Sequence, residues 1–130
     1  MEKLKLKIVK RTGEIHFLSG KGQELLTEHS NVSRQVSTDA ELWWNFFDFG
    51  KKEALTVRGI EGSRWEHLES SAKYISHGKD NIPAVIMSSK GYQIMIPEGI
   101  KVLACTIPTY GQYLRYEGNG CIDYIFRSCM

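Results

Sequence analysis

A chain of 130 residues, 42% hydrophobic and 25% charged, has the size of one domain and the composition of a globular protein, which excludes disordered and fibrous classes. Its 17 basic and 15 acidic residues leave a formal charge of +2, too balanced for a dedicated nucleic-acid binder. No apolar stretch follows the basic start as a signal peptide requires, and no run approaches the roughly 20 apolar residues that span a bilayer, so the expectation is a cytoplasmic protein with no membrane partner.

Leu4, Leu6 and Ile8 alternate with Lys3, Lys5 and Lys7, the period of two that marks a strand with one wet face. The chain turns at Arg11-Thr-Gly-Glu14, and Ile15 and Phe17 resume the alternation around His16, which predicts a β-hairpin over residues 3–18. Its lysine row would keep an edge strand from pairing with another sheet. Residues 19–37 are polar, with a short helix around Gln23–Glu28. Thr38-Asp-Ala-Glu41 has the form of a capping box, which predicts a helix over Asp39–Phe49 that stops at Gly50. Leu42, Trp43, Trp44, Phe46, Phe47 and Phe49 would wrap more than one face of that helix, so a partner or self-association is expected to cover the surplus.

Residues 53–57 read as a short strand, followed by a turn at Gly59-Ile-Glu-Gly62. A second capping box, Ser63-x-x-Glu66, opens a helix over Arg64–His77 in which Trp65, Leu68, Ala72 and Ile75 recur at steps of three and four. Residues 84–88, 92–96, 101–107, 112–117 and 121–127 then read as strands joined by short turns, which implies an antiparallel meander of about five strands, with the apolar run Ile100–Ile107 as its central strand. The expected fold class is a single α+β domain over 1–130: a hairpin, two helices, then the meander.

Little in the sequence points to catalysis. The four histidines (His16, His29, His67, His77) never stand four apart, and no ligand pair marks a metal site or a cofactor. There is no G-x-S-x-G elbow. Cys105 lies in an apolar strand, and the odd count of Cys105, Cys121 and Cys129 without a C-x-x-C pair implies reduced thiols. Ser19-Gly-Lys-Gly22 could meet an anion through its backbone N–H groups and Lys21, yet it lacks the P-loop spacing and reads better as a flexible turn.

Thr56-Val-Arg-Gly-Ile-Glu-Gly-Ser-Arg-Trp-Glu-His-Leu68 resembles the KH nucleic-acid-binding segment, in which a GXXG loop joins two helices and clamps a strand backbone. Gly59 and Gly62 match that loop and Trp65 matches the apolar position beyond it; Arg58 stands where the family has an aliphatic residue, and Glu61 puts a negative charge where phosphates approach. The resemblance, which covers about a dozen residues, implies a nucleotide- or RNA-binding module that uses this turn; the nearby Arg58 and Arg64, together with Tyr113 and Arg115, would serve the same kind of ligand.

Aromatic residues form the other constellation. Tyr110, Tyr113 and Tyr116, with Arg115, cluster around the Pro108–Gly111 turn, while Trp43, Trp44 and Phe47 load the first predicted helix; Tyr, Trp and Arg dominate contact energy in interfaces. Alternation along 112–117 places Tyr113 and Arg115 on one face and Leu114 and Tyr116 on the other. Small size, balanced charge and surplus aromatics favour binding over catalysis. The expected function is that of a small cytosolic inhibitor that occupies a protein target, of the toxin-immunity or phage-borne anti-defence type. A nucleotide or RNA binder is the alternative, and an enzyme whose site assembles from scattered residues is a third reading.

Overall fold

A computed structural model of the chain describes residues 5–9, 14–35, 41–49, 53–59, 65–76, 83–97, 99–107, 109–118 and 124–128, and every regular element among them is a β-strand. The strands are β1 (Lys5–Val9), β2 (Glu14–Leu18), β3 (Glu24–Gln35), β4 (Glu41–Asp48), β5 (Leu55–Arg58), β6 (Trp65–His67), β7 (Ala72–Ile75), β8 (Val85–Ser88), β9 (Tyr92–Met95), β10 (Val102–Cys105), β11 (Tyr113–Gly118) and β12 (Ile125–Ser128). They form two antiparallel sheets, one in the order β1-β2-β3-β4-β11-β10-β7 and one in the order β12-β9-β8-β5-β6. Among the described residues no helix is long and apolar enough to cross a membrane.

The fold is therefore all-β, which corrects the α+β expectation and both of its helices. Residues 41–48 are strand β4. Aromatic side chains suit a pleated surface, and two consecutive large residues that crowd a helix are shared out by a strand between its two faces. Residues 65–67 and 72–75 are strands β6 and β7. Leu68 and Ile75 are buried, but Trp65 and Ala72 are exposed, and Ser70 interrupts the run with a positive φ of 44°. The three- and four-residue spacing thus matched a helix without marking one face of anything. The short helix around 23–28 is replaced by the start of β3. Ser63, and Thr38 of the first capping box, lie outside the described residues.

The alternation at the start of the chain does form a hairpin, with Leu6 opposite Phe17 and Ile8 opposite Ile15. The strands after residue 83 also exist, but they do not form a meander. β8 and β9 pair in the smaller sheet, β10 and β11 pair in the larger one, and β12 returns to β9. A short connection admits antiparallel neighbours without requiring them: the link between β9 and β10 crosses from one sheet to the other.

The sheets meet through one core. Phe17, Leu26, Phe47, Val102, Ala104 and Leu114 of the larger sheet face Val57, Ile86, Tyr92 and Ile94 of the smaller one, all buried. Phe126 stacks on Phe17 with ring centroids 4.1 Å apart, and Tyr124 meets Phe47 edge-on at 5.5 Å. One buried carboxylate ties the smaller sheet together: Glu53 accepts hydrogen bonds from Ser88 and Tyr92, with Lys90 Nζ 3.7 Å from its other oxygen. Burial, then that carboxylate, pushes the Tyr92 hydroxyl pKa up, so it remains a donor.

Gly59 is held by this packing. Its φ is +123°, and a Cβ placed on it would lie 2.8 Å from both Ala84 Cβ and the Ser76 carbonyl oxygen, with Ser76 N donating to the Gly59 carbonyl at 3.0 Å. Gly99 shares the positive φ but faces open space. Gly59→Ala is expected to destabilise by about 2–4 kcal/mol, from strain and overlap together, and Gly99→Ala by about 1 kcal/mol, from strain alone. Urea unfolding of the two variants checks this, and equal losses would contradict it.

Candidate functional site

The larger sheet has a second face, turned away from the core, and its composition is unusual. Pairing of β4 with β11 sets Trp44 opposite Arg115 and Phe46 opposite Tyr113; pairing of β11 with β10 and of β10 with β7 continues these rows to Leu103 and Tyr74, and to Cys105 and Ala72. Side chains directly opposite in adjacent strands share a face. One row therefore reads Trp44, Arg115, Leu103, Tyr74 across four strands, and the next reads Phe46, Tyr113, Cys105, Ala72.

Contacts within these rows hold the side chains in place. Arg115 Nη2 donates to the Tyr74 hydroxyl at 2.9 Å, and Lys101 Nζ stands 5.1 Å from the centre of the Tyr74 ring. Phe46 and Tyr113 meet edge-on at 5.7 Å. Trp44, Phe46, Leu103, Tyr113 and Arg115 are half-buried, Tyr74 is 52% exposed, and Cys105 is covered beneath them. Burial, then a hydrogen bond with the Cys105 thiol, pushes the Tyr113 hydroxyl pKa up. The result is a band of rings and aliphatic surface with two cations over it.

Of the residues singled out from the sequence, Trp44, Tyr113 and Arg115 come together on this band. The others go elsewhere. Trp43 points to the opposite face, where its Nε1 is buried without a hydrogen-bond partner among the described residues. Phe47 belongs to the core, and Tyr110 is 70% exposed on the turn before β11. Arg58 lies in the other sheet, its guanidinium 4.9 Å over the Trp65 ring and its Nε donating to the Pro83 carbonyl at 3.2 Å. Gly59 follows strand β5 and precedes strand β6, so the helices of a KH segment are replaced by strands; Gly62 and Arg64 lie outside the described residues. Sequence reading missed Tyr74, Leu103 and Lys101, and had Phe46 only as part of the aromatic surplus of a helix. A period of two applied to residues 41–48 would have separated Trp44 and Phe46 from their neighbours.

A second cluster, also unforeseen, spans β2, β3 and β4. Thr27 is opposite His16 on one side and Asp48 on the other. His16 Nδ1 lies 2.6 Å from Glu24 and its Nε2 lies 3.5 Å from Glu14. His29 stands where the register of β3 against β4 shifts: Glu28 and Ser30 oppose the adjacent Phe47 and Phe46, leaving His29 as the extra residue of a β-bulge. From there it reaches Glu14 at 3.2 Å through Nδ1 and Asp48 at 2.5 Å through Nε2. Glu24 and Asp48, with Leu25, Leu26, Thr27, Phe49 and Lys90, also line an open cleft of about 240 Å³. Among the described residues no group of three or more His, Cys, Asp or Glu side chains is arranged to hold a metal ion.

The fold and this face define an all-β protein of two antiparallel sheets with an aromatic and cationic outer surface. No protein-family model matches the chain, and no curated protein is similar to it in sequence.

The bulge carries a pH dependence. The Asp48 carboxylate raises the His29 pKa above its ordinary value, opposed by burial and assisted by Glu14. The folded state thus binds this proton more tightly than the unfolded chain does. Its stabilisation is complete below the ordinary histidine value of about 6.5 and is lost as pH rises through the higher folded value. Comparing wild type with His29→Gln by urea unfolding from about pH 5 to about pH 9 should show the wild-type advantage shrinking with rising pH. An advantage that grows or stays constant would refute this assignment.

Proposed function

We propose that the protein acts by stoichiometric occupation of a protein target, in the manner of a toxin-immunity or phage-borne inhibitor protein, and that it uses the outer face of the larger sheet to do so. The observation that carries this reading is the row Trp44, Arg115, Leu103, Tyr74: four side chains of the types that dominate contact energy, or are shielded by them, lie side by side on rigid strands. Arg115 and Tyr74 already hold each other, so little conformational freedom is lost when a partner covers them. The half-buried Trp44 and the exposed Tyr74 leave surface for a partner to cover.

Nucleotide or RNA binding through Arg58 and Gly59 has less support. Arg58 is engaged by Trp65 and Pro83, and Gly59 is buried against Ala84. Native mass spectrometry of the protein purified from its own cells separates the readings. A protein bound in fixed ratio is expected, and Arg115→Glu or Tyr74→Ser should each weaken it by about thirtyfold or more while leaving the circular dichroism spectrum unchanged. A complex indifferent to both substitutions would remove this face from the function. A retained nucleotide, or an RNA complex that dissolves steeply with salt, would favour the alternative.

A further inference from the structure

Strand β1 forms one end of the larger sheet, and among the described residues it is paired on one side only, with β2. The backbone N–H and C=O groups along its other side are a template for an added strand. Its side chains carry two different messages. Leu6 and Ile8 are 59% and 60% exposed, on the face that they share with Phe17 and Ile15. Lys5 and Lys7 are exposed on the opposite face, the one that carries His16.

We propose that β1 accepts an extended segment of a partner protein in which carboxylate and apolar residues alternate, added as an eighth strand to the larger sheet. Period two is what selects this occupant. A strand laid along β1 sends alternate side chains to opposite faces, so one set meets Lys5 and Lys7 while the other covers Leu6 and Ile8. A second copy of β1 fits poorly, because it brings lysines opposite lysines. A nucleic-acid strand would meet the lysines but leave Leu6 and Ile8 in water. The lysine row that turns away strands like itself attracts an acidic one. This inference does not rest on the reading of the outer face, which is built on β4, β11, β10 and β7.

The probe is a labelled synthetic peptide of alternating glutamate and valine, about nine residues long, with an alternating lysine–valine peptide as its counterpart. Fluorescence anisotropy with the full chain should show binding of the glutamate peptide and not of the lysine peptide. N-methylation of alternate backbone nitrogens along the pairing edge of the glutamate peptide should abolish binding, since strand addition needs those donors. Lys5→Glu combined with Lys7→Glu should weaken the glutamate peptide by roughly tenfold or more and admit the lysine peptide. The wild-type comparisons stand alone if the charge-reversed chain fails to fold. Absence of glutamate-peptide binding, equal binding of the two peptides, or binding that survives N-methylation would overturn the proposal. So would a wild-type dimer in sedimentation that Leu6→Lys combined with Ile8→Lys abolishes, because β1 would then be occupied by a second copy.

Discussion

The pairing of β4 with β3 on one side and β11 on the other sets everything the larger sheet presents. β4 is fourth of seven strands, so a shift there moves both halves of the sheet. In the observed register Asn45 and Phe47 face the core while Trp44 and Phe46 face out. A slip of one residue would exchange these sets, exposing Phe47 and burying Trp44. Three hydrogen bonds resist it. Asn45 Nδ2 donates to the buried Glu28 carboxylate at 2.5 Å, and Gln112 accepts from Phe47 N at 2.9 Å through its carbonyl and from Phe49 N at 2.8 Å through its side chain. Buried polar groups left unpaired by a slip would each cost about 1–3 kcal/mol, so a few such bonds are enough to exclude the alternative.

Polar groups in the core explain why β3 needs its irregularities. Glu28 is buried beside Asn45 and raises the pKa of Tyr124, on which burial acts first. Its carboxylate thus joins the larger sheet to the segment that leads into β12. Keeping Glu28 inward while pairing the rest of β3 with β4 takes the extra residue at His29, and the shift near Phe17 lets Leu25 and Leu26 both be buried although they are consecutive. One bulge therefore serves the core through Glu28 and the surface through His29. The local twist that a bulge introduces brings β2 and β4 carboxylates within reach of one imidazole.

The part of the fold legible in the sequence was the part bounded by turn residues. Leu6 and Ile8 alternating with Lys5 and Lys7 could be little else than a strand, and residues 85–88, 92–95, 102–105 and 113–118 are separated by Gly- and Pro-bearing turns. The first predicted helix gives way to a strand because a four-residue capping pattern does not determine the state of the residues that follow it, and β4 is stabilised by neighbours distant in sequence. Arg115 lies opposite Trp44 across about seventy positions of chain, and no local pattern can report that pairing. Half of the outer face was visible for the same reason that the meander was not: alternation along one strand places Tyr113 with Arg115, but which strand lies alongside is a tertiary fact. The seven-residue interval between Leu68 and Ile75 suits two turns of helix as well as a bend at Ser70 followed by a short strand, and the positive φ of Ser70 leaves no mark in composition.

A sheet whose inner face is spent on the core can bind only through its outer face, its edges or its loops, and here the outer face is divided by chemistry. Toward β7 it is aromatic and aliphatic, with Arg115 and Lys101; toward β1 it is ionic, where His16, His29 and three carboxylates adjoin Lys7. A partner covering Tyr74 and Trp44 would lie across strands that do not include β1, so occupation of the aromatic end need not obstruct the edge. The ionic region between them changes charge as His29 titrates, and because exposed charges are felt over about a Debye length, roughly 8 Å at physiological salt, that change reaches the adjoining β1 lysines more strongly than it reaches Tyr74. Acidic conditions therefore add positive charge on the side where the lysines stand, and the aromatic end depends on contact rather than on field.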